Sequence, residues 1–211
     1  MRMNSGVARL AGILAVIYGF VAAAGDAGAL AASDVVAALN ASLVRVMQNG
    51  ERLGYAGRYK ELEPALKTAF DLPHMSQAVM GPHWAGLNPE QRNKVIDAFT
   101  RLTIANFALR FDNYNEQRFE VVDQKELGGD RKSIFVRSRI VKRNNKTVQL
   151  NYLLLPKDGR YKGVDVYYNG AISEVATSRS AYSSVLARDC FDALVRTIED
   201  KIVSIERDAK K

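Results

Sequence analysis

Residues 134–168 read IFVRSRIVKRNNKTVQLNYLLLPKDGRYKGVDVYY, and their hydropathy repeats with a period of two. Ile134, Val136, Ser138 and Ile140 alternate with Phe135, Arg137, Arg139 and Val141, the signature of a strand with one face in the core. Arg143-Asn144-Asn145-Lys146 supplies a tight turn, after which Val148, Leu150, Tyr152 and Leu154 repeat the pattern. Pro156-Lys157-Asp158-Gly159 turns the chain again into Tyr161–Tyr168, where Val164, Val166 and Tyr168 share a face. Phe119–Val122 adds an earlier strand, so the stretch predicts an antiparallel meander of four strands.

On both sides of the meander the period becomes helical. Val35, Val36, Leu39, Leu43, Val46 and Met47 form one stripe, with Ser33 as its cap and Asn49-Gly50 as its stop. Past Tyr55-Ala56-Gly57-Arg58-Tyr59, Leu62, Leu66, Ala69 and Phe70 mark a second helix. Asp71-Leu72-Pro73 starts a short one that closes at Gly81-Pro82. Asn88-Pro89 is a strong start signal, and Val95, Ala98, Phe99, Leu102, Ala105 and Leu109 predict a long helix to about Asp112. After Asn169-Gly170, Tyr182, Val185 and Leu186 mark one helix, and Phe191, Leu194, Val195, Ile198, Ile202 and Ile205 another. Helices, then a contiguous antiparallel sheet, then helices predict an α+β fold in a single domain, the sheet wrapped by N- and C-terminal helices around an apolar pocket.

The first thirty residues belong to a different class of sequence. Arg2 and Arg9 precede the uncharged run Leu10–Ala24, and small residues follow through Ala32. This is the layout of a secretory signal, with cleavage expected after Ala29 or Ala31. The run is shorter than the roughly 20 residues a membrane span needs. The expected organisation is a signal peptide over 1–31 and one domain over 32–211, exported to a bacterial periplasm.

Composition removes several chemistries. The 211 residues hold 47% hydrophobic and 25% charged side chains, enough for a large core, and one cysteine, Cys190, which closes no intramolecular disulfide. His74 and His83 stand nine apart around Gly-Pro, a spacing that matches no metal site, so no metal or cofactor is expected. No glycine-rich phosphate loop lies between a strand and a helix, and neither Ser183, Ser184 nor Cys190 sits in a nucleophile motif. Asp71 reads as a helix cap and His74 as a residue of its first turn. The net charge of +7 favours an acidic partner. Outside the cytoplasm that means anionic lipid or an acidic protein and not nucleic acid, although Phe135, Tyr152, Tyr167 and Tyr168 are interleaved with bases in a way that stacks bases elsewhere.

Read in order, Tyr55-Ala56-Gly57-Arg58-Tyr59, Phe70-Asp71-Leu72-Pro73-His74-Met75, Gly81-Pro82-His83-Trp84, Leu87-Asn88-Pro89-Glu90-Gln91-Arg92 and Val164-Asp165-Val166 leading to Gly170-Ala171-Ile172-Ser173 resemble the periplasmic MlaC, or toluene-tolerance, family. Ala171–Val175 and Ser178-Arg179-Ser180 are most similar to its hopanoid-associated HpnM-type branch. The similarity runs from about Val35 to Ile202. Two positions depart from it: Cys190 stands where the family usually has glycine, and Tyr161 where many relatives have Trp.

The resemblance implies a non-enzymatic shuttle that carries phospholipid or hopanoid between inner and outer membranes. The lipid is cargo, and the partners are an inner-membrane transporter complex and an outer-membrane acceptor. Such a shuttle works as a monomer. On the inward stripes, Leu66, Phe70, Met75, Phe99, Leu102, Val136, Leu150, Tyr152, Val166 and Tyr168 are the expected lipid lining, each equally a plain core position. Arg58, Arg137, Arg139 and Arg179 are candidates for head-group or partner contact. Two alternatives remain at this stage: a structural adaptor of an envelope transport complex with a packed interior, and a secreted lipid-modifying enzyme or its accessory using Asp71 and His74.

Overall fold

The computed structural model describes residues 31–128 and 132–209; residues 1–30, where most of the expected signal segment falls, lie outside the described residues. Among the described residues six α-helices pack beside one sheet: α1 Ala32–Gln48, α2 Gly50–Ala69, α3 Leu72–Met80, α4 Pro89–Arg110, α5 Glu174–Leu186 and α6 Phe191–Asp208, with a 3-10 turn over Gly81–Gly86. The strands are β1 Arg118–Leu127, β2 Ser133–Val141, β3 Thr147–Lys157, β4 Arg160–Tyr168 and β5 Ile172–Ser173, in the order β1-β2-β3-β4-β5 with every pair antiparallel. The fold is α+β, as the patterning predicts, with a fifth, two-residue strand added to the expected four.

The register puts Val136, Tyr152 and Val166 side by side across β2, β3 and β4, all buried, and this row is the middle of the core. Val136 and Ser138 face inward, so Arg137 and Arg139 between them project from the opposite, solvent face. β1 runs five residues beyond the expected Val122. A bulge between Val121 and Asp123 leaves Val122 half exposed, and the charged residues after it hide the strand period from the sequence.

Three helix boundaries differ from expectation. The first helix begins at Ala32, where the Asp34 carboxylate accepts from the Ala31 N–H at 3.2 Å, so Ser33 lies inside the helix instead of capping it. Tyr55–Tyr59 is helical, because α2 starts directly at Gly50 and absorbs its change of direction at Gly54, whose φ of 59° suits glycine. The long helix ends at Arg110, with Phe111 as its C-cap.

The chain leaves α2 through Phe70, which forms a parallel bridge with Gly163 of β4. The Asp71 N–H donates to the Gly163 carbonyl at 2.9 Å. A Cβ on Gly163 would lie 2.5 and 2.7 Å from atoms of the Phe70 ring, closer than packed carbons come. Gly163→Ala therefore overpacks the joint, with an expected loss of about 1–3 kcal/mol read from the urea midpoint. A midpoint equal to the parent's would show that the ring moves aside freely.

Candidate functional site

Asp71 starts the site. Its carboxylate accepts from the His74 N–H at 3.2 Å, capping α3, and from Lys157 Nζ at 2.7 Å. Both carboxylate oxygens are thus engaged in holding the α2–α3 corner to the end of β3, which is the capping role the sequence suggests. The corner turns the Phe70 ring inward, 6.0 Å from Phe107 and 6.3 Å from Tyr152 between centroids.

A crevice opens on one side of that ring, between α3, α4, β4 and α5. Phe70, Met75, Phe99, Leu102, Val166 and Tyr168 all line it, so six of the expected lipid-lining residues converge from the α2–α3 corner, α3, α4 and β4. Leu66, Val136, Leu150 and Tyr152 do not line it and lie fully buried in the surrounding core. The Tyr152 hydroxyl is buried without a hydrogen-bond partner, and burial, with the neighbouring Tyr168 phenol, raises its pKa and keeps it protonated. The rim is polar: Arg110, at 4.6 Å from the Tyr168 ring centroid, faces Glu174 and Ser178 of α5. Burial raises the Tyr168 pKa, and Arg110 opposes the shift.

Sequence reasoning missed Thr103, Asn106, Phe107 and Arg110, which also line the crevice. With Phe99 and Leu102 they make one face of α4 at helical spacing. That face mixes polar and apolar residues, and α4 is buried on other sides by α2 and α6, so no single apolar stripe reports it.

Helix α5 roofs the crevice and is held by two polar joints. At its start Asp165, buried in β4, accepts from the N–H groups of Val166 (2.7 Å) and Val175 (3.1 Å) and from the Ser173 hydroxyl at 2.5 Å. Ser173 Oγ in turn accepts from the Ala176 N–H at 2.9 Å, so a carboxylate and its relayed hydroxyl meet the positive end of the helix. One turn later Arg179 Nε donates to the Ala78 carbonyl at 2.7 Å, in the last turn of α3.

The candidate head-group residues are placed apart from this rim. Arg58 is buried and donates to the Ala108 and Gly50 carbonyls at 2.9 and 3.0 Å. Arg137 and Arg139 pair with Asp123 and Glu120 of β1 at 2.7 Å each on the outer sheet face, and Arg179 is the α5 joint just described. The basic group at the crevice is Arg110. Among the described residues no group of three or more His, Cys, Asp or Glu is placed to hold a metal, and no helix is long and apolar enough to cross a membrane. Cys190 is exposed at the start of α6.

The sequence profile described as MlaC protein matches residues 37–200. The chain belongs to the MlaC family. Within it, the intermembrane phospholipid transport system binding protein MlaC of Haemophilus influenzae is 25% identical over 132 residues, 61% of this chain and 61% of that protein. The chain thus spans about three fifths of that curated relative's length. The solved structure of a phospholipid-binding protein from Ralstonia solanacearum, in complex with a phospholipid, superposes with a TM-score of 0.71 at 19% identity, over 85% of this chain and 99% of that one. That likeness is one of fold, and it supports the family's α+β architecture for this chain.

Proposed function

We propose that this protein is a non-enzymatic lipid carrier of the bacterial envelope, which takes the apolar part of a phospholipid or hopanoid into the crevice between α4, β4 and α5. The observation that carries this reading is the convergence of Phe70, Met75, Phe99, Leu102, Val166 and Tyr168 on one apolar crevice with a charged rim at Arg110 and Glu174. The Haemophilus and Ralstonia proteins, described as phospholipid-transport and phospholipid-binding, support it. The signal-like N-terminus supports a periplasmic site of action, between an inner-membrane transporter complex and an outer-membrane acceptor.

The energetics explain why a carrier is needed. At about 0.8 kcal/mol per methylene, a chain of about sixteen carbons resists entry into water by on the order of 12 kcal/mol. An apolar crevice replaces that lost contact. The cavity volume of the crevice is 30 Å³, room for about one water. Cargo entry in this reading requires α5 to move away from β4, and the Asp165 and Arg179 joints set how readily it does so.

The test is to express the full chain in a hopanoid-producing bacterium, purify it without detergent and identify extracted lipid by mass spectrometry. One lipid per chain is expected. Leu102→Trp, at a half-buried lining position, is expected to lower the lipid content at least tenfold while the circular dichroism stays unchanged. An unchanged lipid content in that folded variant would place the cargo elsewhere. The structural adaptor has the small cavity in its favour; it predicts an apo mass that added lipid leaves unchanged.

A further inference from the structure

A second depression lies on the other side of the Ala69–Phe70 corner, between α1, α2 and the start of β4. Its apolar walls are Val35, Leu39, Pro64, Ala65, Ala69 and Tyr161, and its cavity volume is 350 Å³. It stays open because α2 presents Pro64, Ala65 and Ala69 where larger side chains would fill the space against α1. The volume falls at the low end of the roughly 300–1,000 Å³ usual for small-molecule sites. That is room for one hydrocarbon chain lying along the trough.

The rim carries Arg45, Arg160 and Lys162 against the single carboxylate of Glu61. None of the three cations is ion-paired among the described residues. Arg45 donates to the Ser42 hydroxyl at 3.3 Å, and Lys162 Nζ donates to the carbonyls of Lys67 and Thr68 in the last turn of α2. Those carbonyls hold the Lys162 ammonium at the mouth of the groove without neutralising it. Partial burial lowers the Lys162 pKa, with Lys157 and Arg160 adding to the shift and the Asp71 carboxylate opposing it. Three basic groups at the mouth and an apolar trough behind it complement a carboxylate with one hydrocarbon tail.

We infer that the groove between α1, α2 and β4 is a second binding site, distinct from the crevice, for a long-chain fatty acid: its tail lies along Leu39, Ala65 and Tyr161, and its carboxylate meets Arg160 and Lys162. The site shares no lining residue with the crevice, so it stands or falls independently of the carrier reading.

The experiment titrates the delipidated protein with cis-parinaric acid, a fluorescent eighteen-carbon fatty acid, and with its methyl ester. One equivalent of the acid is expected to bind. Ala65→Trp, which fills the trough, is expected to weaken the acid more than tenfold. The double variant Arg160→Gln, Lys162→Gln, in which the glutamine amide at 162 can still donate to the end of α2, is expected to weaken the acid about tenfold and leave the ester within twofold of the parent. Leu102→Trp, in the crevice, is expected to leave parinarate binding intact while it lowers co-purified phospholipid. Unchanged acid affinity in a folded Ala65→Trp would overturn the site. So would equal losses for acid and ester in the double variant, or loss of parinarate in Leu102→Trp, which would put the probe in the crevice. Displacement of parinarate by lysophosphatidylglycerol at equal concentration would overturn the assignment to a fatty acid.

Discussion

Asp165→Ala is expected to lower the stability of the folded chain by about 3–5 kcal/mol and to free the start of α5. The Asp165 side chain is 7% exposed and accepts from two backbone N–H groups and one hydroxyl. Alanine offers no acceptor, and each buried donor left without a partner costs about 1–3 kcal/mol. The negative charge beside the first turn of α5 is lost as well. Asp165→Asn retains one carbonyl oxygen for the Val166 and Val175 N–H groups, so it is expected to recover about half of the loss. Urea unfolding gives the stability, and amide exchange at Val175 and Ala176 gives the local effect. Because α5 roofs the crevice, the proposed carrier function predicts that the same variant releases lipid cargo to acceptor vesicles several-fold faster. An unfolding free energy within about 0.5 kcal/mol of the parent's would show that the joint is dispensable and α5 is held by packing alone.

The second large effect is expected at Arg58, whose burial takes it out of the surface role that its charge suggests. Its guanidinium fork spans two helices, donating to Ala108, among the final carbonyls of α4, and to Gly50, at the start of α2. The last carbonyls of a helix have no intrahelical donors, and a cation there also meets the negative end of the helix dipole. Arg58→Ala removes both bonds and leaves a void where the side chain lay, for an expected loss of about 3 kcal/mol. Arg58→Lys keeps the charge but replaces the planar fork with a single ammonium, so it is expected to restore less than half. Thermal unfolding of the three proteins checks the order. If the lysine variant equals the parent, the charge alone suffices and the fork has no role.

The sheet was legible in the sequence because its inward face is apolar at a period of two, broken in β2 only by Ser138, and its turns carry Asn-Asn and Asp-Gly. β1 was half legible: its second half is charged on both faces, and only the register with β2 identifies it as a strand. Helix α2 was misread over Tyr55–Tyr59 because two glycines suggest a longer break, whereas the break is confined to a kink at Gly54 and the helix resumes at Tyr55.

At the site, Phe70, Met75, Phe99, Leu102, Val166 and Tyr168 were recoverable, since each lies on the inward face of its own element. Depth was not. Tyr152 and Val136 share that face with Val166, but periodicity gives the direction of a side chain and says nothing of how many layers lie above it. The pairing of Arg137 and Arg139 with Asp123 and Glu120 depends on a strand register fixed only by the folded chain. The groove under Arg160 and Lys162 was missed for the opposite reason: Pro64, Ala65 and Ala69 mark a space by being small, and small residues leave no apolar signal.

The outermost strand β1 has a consequence for how the protein behaves when crowded. A sheet that ends in a long, flat, apolar strand is a template on which another chain can grow, and such edges seed aggregation. Here the border strand carries Glu120, Asp123, Lys125 and Glu126 and is bent by its bulge at Val122, while the opposite border is the two-residue β5. A second molecule approaching β1 edge-on meets charged side chains on both faces and a ladder interrupted at the bulge. The fold thereby guards the β1 border of its sheet against extension by another chain.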